Sequence, residues 1–148
     1  MDATELTKDY IADARVMQLA TLHEGKPWIC TVYYIYDADY NLYWTSLPTR
    51  KHSQDIAADP HVAVAIAVKL DQPIIGLQAA GTVTVVQDAA VVKSVMGDYA
   101  AKYHQGQDFY DNFVAATNQH TLYKFIPDAY VLFDEVNFPG GVGTEVKL

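Results

Sequence analysis

Trp28-Ile29-Cys30-Thr31-Val32-Tyr33-Tyr34-Ile35-Tyr36 carries β-branched and aromatic residues almost throughout and stops at Asp37-Ala38-Asp39-Tyr40-Asn41. Such side chains suit a pleated, half-buried surface, so residues 28–36 are expected to form one long strand closed by a polar turn. Before it, Val16-Met17-Gln18-Leu19-Ala20-Thr21-Leu22 reads as a second strand, with Glu24-Gly25-Lys26-Pro27 as the hairpin between them. Further back, Leu6, Tyr10 and Ala14 recur at one-turn spacing and predict a short helix over residues 5–15.

Downstream the same alternation continues. Residues 42–45, 62–68 and 74–86 read as strands, with a short helix over 51–57. Gly76 and Gly81 are the places where the longest of these can bend, because backbone approaches closely most easily where there is no Cβ. After Asp88 the period changes: Val92, Val95 or Met96, Tyr99 and Tyr103 recur at helical spacing, and Phe109, Phe113 and Ala116 extend that pattern into another helix. Residues 121–125 and 130–134 then read as returning strands separated by a turn at Pro127-Asp128. Phe138-Pro139-Gly140-Gly141-Val142-Gly143 opens a tail, residues 136–148, that crosses the surface, closes over a ligand or a partner, or is a flexible end. Many strands and few helices make the expected fold mainly β with peripheral helices, an antiparallel barrel forming a single domain over residues 1–148. Neither the βα alternation nor the glycine fingerprint of a dinucleotide-binding fold is present.

With 148 residues, 18 acidic and 10 Lys/Arg residues, the formal charge is −8. That balance argues against a nucleic-acid surface and against an anionic membrane. The N-terminal residues lack the basic flank and apolar run of a secretion signal, and no apolar run reaches membrane-spanning length, so the cytoplasm is the expected location. Cys30 has no partner for an internal disulfide and is expected to be a small buried side chain rather than a reactive thiol. The five histidines, His23, His52, His61, His104 and His120, show no metal-ligand spacing, and no metal site is expected.

Against this acidic background, Trp44-Thr45-Ser46-Leu47-Pro48-Thr49-Arg50-Lys51-His52-Ser53 stands out. It places two adjacent cations and several hydroxyls where a strand breaks and a helix begins. Arginine can fork onto a phosphate, lysine adds a mobile charge, and free amides at a helix start complete an anion site. The plainer reading is a solvated turn in which Ser46 or Thr49 caps the helix and the basic pair faces water.

The order and spacing of four segments carry a family resemblance: Leu19-Ala20-Thr21-Leu22 before Gly25-Lys26-Pro27-Trp28; Thr31-Val32-Tyr33-Tyr34; Trp44-Thr45-Ser46 through Arg50-Lys51-His52-Ser53; and Asp59-Pro60-His61-Val62-Ala63-Val64. Together they make residues 16–86 resemble the pyridoxamine 5'-phosphate oxidase-like FMN-binding split-barrel family, particularly its small general-stress-protein relatives. The resemblance implies a six-stranded antiparallel split β-barrel that forms a homodimer with two FMN sites at the subunit interface. It implies that Thr45 and Ser46 line the flavin or its phosphate tail, and that Arg50 and especially Lys51 neutralise the phosphate. Cys30, Thr31, Val32 and Tyr33 would run beside the isoalloxazine ring, and Gln78 would reach the cofactor from a neighbouring strand. It shifts the weight at Arg50-Lys51 from a solvated turn to a phosphate site.

The family's C-terminal arginine and histidine pattern for substrate is not matched in residues 138–148, which disfavours pyridoxamine phosphate as substrate. What the resemblance implies is a flavin-dependent oxidoreductase acting on a small organic acceptor, with NAD(P)H as an available donor. The alternatives are a nonenzymatic flavin-binding or stress-associated protein and a ligand-free structural dimer. Haem, bound by some related barrels, ranks behind FMN because no axial-ligand setting is evident. No side chain is singled out as catalytic. Tyr33 and His52 could lend polarity near a flavin, but packing and capping are simpler roles for them. Trp28, Tyr34, Tyr36, Tyr43 and Trp44 cannot all line one pocket, since neighbours on a strand face opposite ways, and packing is expected to claim most of them.

Overall fold

Glu24 and Gly25 both have positive φ, 51° and 76°, the backbone of a two-residue hairpin turn whose twist matches the flanking strands. They join β1 (Val16–His23) to β2 (Lys26–Tyr33) in antiparallel register from His23↔Lys26 to Val16↔Tyr33. The computed structural model describes residues 1–104, 106–114 and 119–148. The remaining elements, in chain order, begin with α1 (Ala3–Asp13), then β3 (Ile35–Tyr36), β4 (Leu42–Ser46), α2 (Lys51–Ala58), β5 (His61–Lys69) and β6 (Ile75–Val85). They end with α3 (Ala89–Tyr103), α4 (Gln107–Val114), β7 (Thr121–Asp134) and β8 (Thr144–Val146). The side chain of Phe109 and the whole of Ala116, both expected to pack on the sheet, lie outside what is described.

The strands form one antiparallel sheet in the order β2-β1-β5-β6-β7-β4-β3, with β8 added to β7. Six strands have five or more residues, and the short β3 and β8 are accessories to them. The expected single strand over residues 28–36 is in fact two. β2 ends the sheet on one side and β3 ends it on the other, and only Tyr34 separates them in the chain. A sheet whose two edges are joined by one residue must curl, and the result is an open antiparallel split barrel. Tyr34 makes the break because its groups are used elsewhere. Its N–H still follows the β1 register to Arg15 O at 3.2 Å, but its carbonyl accepts from Tyr103 Oη, its ring is fully buried, and its hydroxyl donates to Ile11 O at 2.7 Å.

The expected turn at Pro127-Asp128 is also corrected. β7 runs unbroken through it, pairing Gly81↔Pro127 and then Ala80↔Ala129, so Asp128 is an extra residue in a bulge. Proline lacks the N–H for a regular ladder, and a bulge is where a strand tolerates it. Gly81 is the other half of that arrangement, since a Cβ there would collide with the Ile126 carbonyl.

Alternate residues of the strands fill the barrel: Met17, Leu19, Val64, Ile66, Leu77, Trp44, Phe125 and Leu132 are all buried in one cluster. A second cluster lies outside the sheet, where α3 and α4 bring Val95, Met96, Tyr99, Tyr103 and Phe113 over Tyr43 and Leu122. The tail returns on its own chain, with β8 pairing Tyr130↔Val146 through Leu132↔Thr144 and Val146 buried. No helix among the described residues is long and apolar enough to cross a membrane.

Candidate functional site

β4 is paired with β7 along its whole length, but β3 covers its other side only at Leu42 and Tyr43. Trp44, Thr45 and Ser46 therefore present a backbone edge that is unpaired among the described residues. β2 is the opposite edge of the same sheet, paired among the described residues only with β1. Because Tyr34 joins the two edges at one end, they diverge from it as the lips of a wedge, which is the split in the barrel. The first turn of α2 spans the other end: Lys51 Nζ lies 5.2 Å from the centroid of the Trp28 ring on β2, while His52 Nε2 is 2.8 Å from Ser46 Oγ on β4.

Cys30, Thr31, Val32 and Tyr33 lie on the first lip, Thr45 and Ser46 on the second, and Arg50 and Lys51 at the α2 end. The strand pleat divides them. Ser46 is buried on the inner side with His52, whereas Thr45 turns outward and hydrogen-bonds Tyr99 of α3. Tyr33, 53% exposed, also faces outward, with its ring 5.0 Å from that of Tyr103. Cys30 is half-buried, and burial pushes its thiol pKa up.

The two cations differ. Arg50 precedes α2 as its N-cap residue, is exposed, and makes no side-chain cap hydrogen bond. Lys51 instead donates to both carboxylate oxygens of the buried Asp55, at 3.1 and 3.2 Å. Asp55 also accepts from Thr21 Oγ1 at 2.8 Å. Burial raises the Asp55 pKa, but the hydrogen bonds from Thr21 and Lys51 outweigh it and hold the carboxyl below its usual range. His52 is held below the usual histidine range by burial first and by Arg50 second.

Gln78 stands apart from the split. The registers Thr31↔Gln18, Gln18↔Ala65 and Ala65↔Gln78 place it three strands from β2 on the outer face, roughly 14 Å along the sheet at the usual strand spacing. The adjoining row is Ile29, Ala20, Ala63, Ala80 and Ala129. Together these rows floor a shallow groove of about 530 Å³, with Asp128 and Glu145 among its polar lining residues. This smooth face, the Ser46–His52 pair and the Lys51–Asp55–Thr21 chain were not anticipated. The first had a signal in Val62-Ala63-Val64-Ala65-Ile66-Ala67, where every second residue is alanine rather than polar. Among the described residues, no group of three or more His, Cys, Asp or Glu is placed to hold a metal ion.

The split fits a flat heterocycle with a phosphate tail on the chemistry of its donors and acceptors. Its lips offer alternating backbone N–H and C=O groups, and its α2 end offers first-turn amides with no side-chain cap, beside Arg50.

A family model described as pyridoxamine 5'-phosphate oxidase matches residues 3–124. Among solved structures, the conserved hypothetical protein Rv2991 from Mycobacterium tuberculosis is similar with a TM-score of 0.77 and 16% identity, over 95% of this chain and 90% of that one. General Stress Protein 26 from Bacillus anthracis str. Sterne is similar with a TM-score of 0.71 and 18% identity, over 100% of each chain. A FAD-binding protein (mll6688) from Mesorhizobium loti is similar with a TM-score of 0.63 and 21% identity, over 88% of this chain and 92% of that one. At these identities the likeness is one of fold. No curated protein matches the sequence.

Proposed function

The chain belongs to the pyridoxamine 5'-phosphate oxidase family, and from that premise we propose that it is an FMN-binding homodimer with its cofactor in the split between β2 and β4. The observation that carries this reading is the pair of unpaired strand edges meeting at the uncapped first turn of α2. Cys30, Thr31, Val32 and Tyr33 on one side would run beside the ring system, and Thr45 and Ser46 on the other would line the flavin or its phosphate tail. Arg50 and the α2 amides would take the phosphate, with Lys51 shared between it and Asp55.

The second copy has a place in this reading. Gln78 lies too far round the sheet to serve a ligand in its own split, but it sits in the alanine-floored groove, an apolar face that no element among the described residues covers. A partner seated there would carry its own split toward Gln78, and Glu145 on β8 would bring the C-terminal tail into the same contact.

Bound FMN supplies hydride and electron exchange at its ring, and the protein contributes binding, orientation and access. Turnover of a small conjugated acceptor with NAD(P)H as donor is the second reading. It is favoured by the Trp28 ring, left 46% exposed on the β2 lip beside Lys51. Titration of the purified, cofactor-stripped protein with FMN under anaerobic conditions tests the first reading. Saturation near one FMN per subunit is expected, followed by a donor and acceptor screen for the second. A folded dimer that binds no FMN would overturn the assignment and bring haem or a structural role forward.

A further inference from the structure

The α2 end of the split holds a polar pair that phosphate binding by Arg50 does not itself require. Ser46, the last residue of β4, is buried, and His52, in the first turn of α2, is partly buried against it with Oγ and Nε2 2.8 Å apart. The charges that act on the imidazole are Arg50, which opposes its protonation, and Asp55, which favours it. Asp55 is already engaged by Lys51 and Thr21, and His23 of β1 acts on Asp55. The β4 side contributes Ser46, a neutral hydroxyl, and the β2 side contributes Trp28 under the Lys51 ammonium. His52 is therefore a neutral base at the foot of a cationic turn.

We propose that the Ser46–His52 pair couples anion capture at the Arg50 turn to proton uptake, His52 taking one proton from solvent as a flavin phosphate dianion binds. The inference rests on the phosphate reading of that turn. A dianion beside Arg50 cancels the positive field that adds to burial in keeping the imidazole neutral, and replaces it with a negative one. Once both ring nitrogens carry protons, Nε2–H can only donate to Ser46 Oγ. The hydroxyl proton of Ser46 is then free to turn to a phosphate oxygen. One proton moves from solvent to His52, and no covalent bond of the ligand changes.

The test is calorimetric titration of the cofactor-stripped protein with FMN at about pH 7.5, where a phosphate monoester is largely dianionic, in two phosphate-free buffers of different ionisation enthalpy. The dependence of the apparent enthalpy on the buffer gives the protons taken up. Uptake of a large fraction of one proton per FMN is expected, lost in His52→Gln. Riboflavin, which lacks the phosphate, should bind the unmodified protein without uptake, and this comparison needs no variant to fold. FMN bound at one per subunit with no uptake, or with uptake equal to that of riboflavin, would overturn the coupling while leaving the phosphate site standing. A folded dimer that binds no FMN would remove the phosphate reading and the coupling with it.

Discussion

Lys51 Nζ lies 3.1 Å from Asp55 Oδ1, so the more obvious phosphate ligand of the turn is neutralised by its own helix one turn on. Arg50 has no such partner among the described residues and stands exposed at the helix start. Arg50→Ala is therefore expected to weaken FMN binding roughly ten- to a hundredfold, the ~1.5–3 kcal/mol of a hydrogen bond to a charged group. Lys51→Ala should weaken it less, reversing the order that the resemblance suggests. Parallel FMN titrations of the two variants measure this, and an equal or larger loss for Lys51→Ala would mean that the lysine leaves Asp55 for the phosphate.

Asp134 is the acceptor at the end of β7 that ties down α1 and the start of the tail. Tyr10 Oη donates to it at 2.8 Å, and Val136 N, Asn137 N and Asn137 Nδ2 donate at 3.0, 2.9 and 2.8 Å. Burial raises its pKa, but these hydrogen bonds outweigh burial and hold the carboxyl below its usual range. Its contribution is present above the unfolded value of about 3.9 and fades as pH falls through the folded one. Tyr10 behaves in the opposite sense: burial, then Asp134, raise its pKa to about 12, so its contribution is full below its unfolded value and fades as pH rises toward 12. Denaturation of the parent protein and of Asp134→Asn across pH should show the parent's advantage between these limits, narrowing at both ends. A constant difference from acid to alkali would deny the linkage.

Gly81 and Gly76 lie on the same strand but should answer differently to a methyl group. At Gly81 the added Cβ would run into the Ile126 carbonyl oxygen and crowd the Phe125 ring, and the bulge opposite cannot give way without breaking the β6–β7 ladder. At Gly76 the nearest atom is Ile66 O, 3.4 Å away, an ordinary contact. Gly81→Ala is expected to lose about 3 kcal/mol or more, and Gly76→Ala at most about 1 kcal/mol. Chemical denaturation midpoints give both values, and similar losses would mean that the bulge is soft.

These positions also show where sequence is informative. Gly81 reads as a bend because glycine's permissiveness is a property of the residue itself. Pro127-Asp128 reads as a turn because the same two residues suit a turn and a bulge. Only the partner strand, unbroken opposite them, decides between the two. The β-rich run through Tyr34 predicts a continuous strand correctly as far as propensity goes. What breaks it is the long-range use of Tyr34, its ring buried, its hydroxyl on Ile11 O and its carbonyl taken by Tyr103 Oη, which no local pattern encodes. The site divides in the same way. Arg50 and Ser46 are visible as types in a motif, whereas the opposite facing of Thr45 and Ser46 follows from pleat once β4 is placed. The removal of Gln78 to another face follows from register across four strands.

The alanine rows on the outer face carry the last prediction. Ala63 and Ala80 are exposed and paired side by side across β5 and β6, with Ala20 and Ala129 beyond them. In an isolated chain, polar residues there would be better solvated, and one face of an antiparallel sheet is ordinarily free to carry them. Small apolar side chains on four neighbouring strands instead let another backbone approach closely, as an interface between copies requires. Ala63→Lys or Ala80→Glu should leave the circular dichroism spectrum of the chain unchanged, because neither side chain enters the barrel. Either should shift the proposed dimer to monomer in sedimentation velocity, since a charge facing its own symmetry mate in a desolvated patch is strongly unfavourable. FMN occupancy should fall together with the dimer if Gln78 serves the partner's split. An unperturbed dimer in both variants would move the interface to another surface and leave Gln78 without a role at the cofactor.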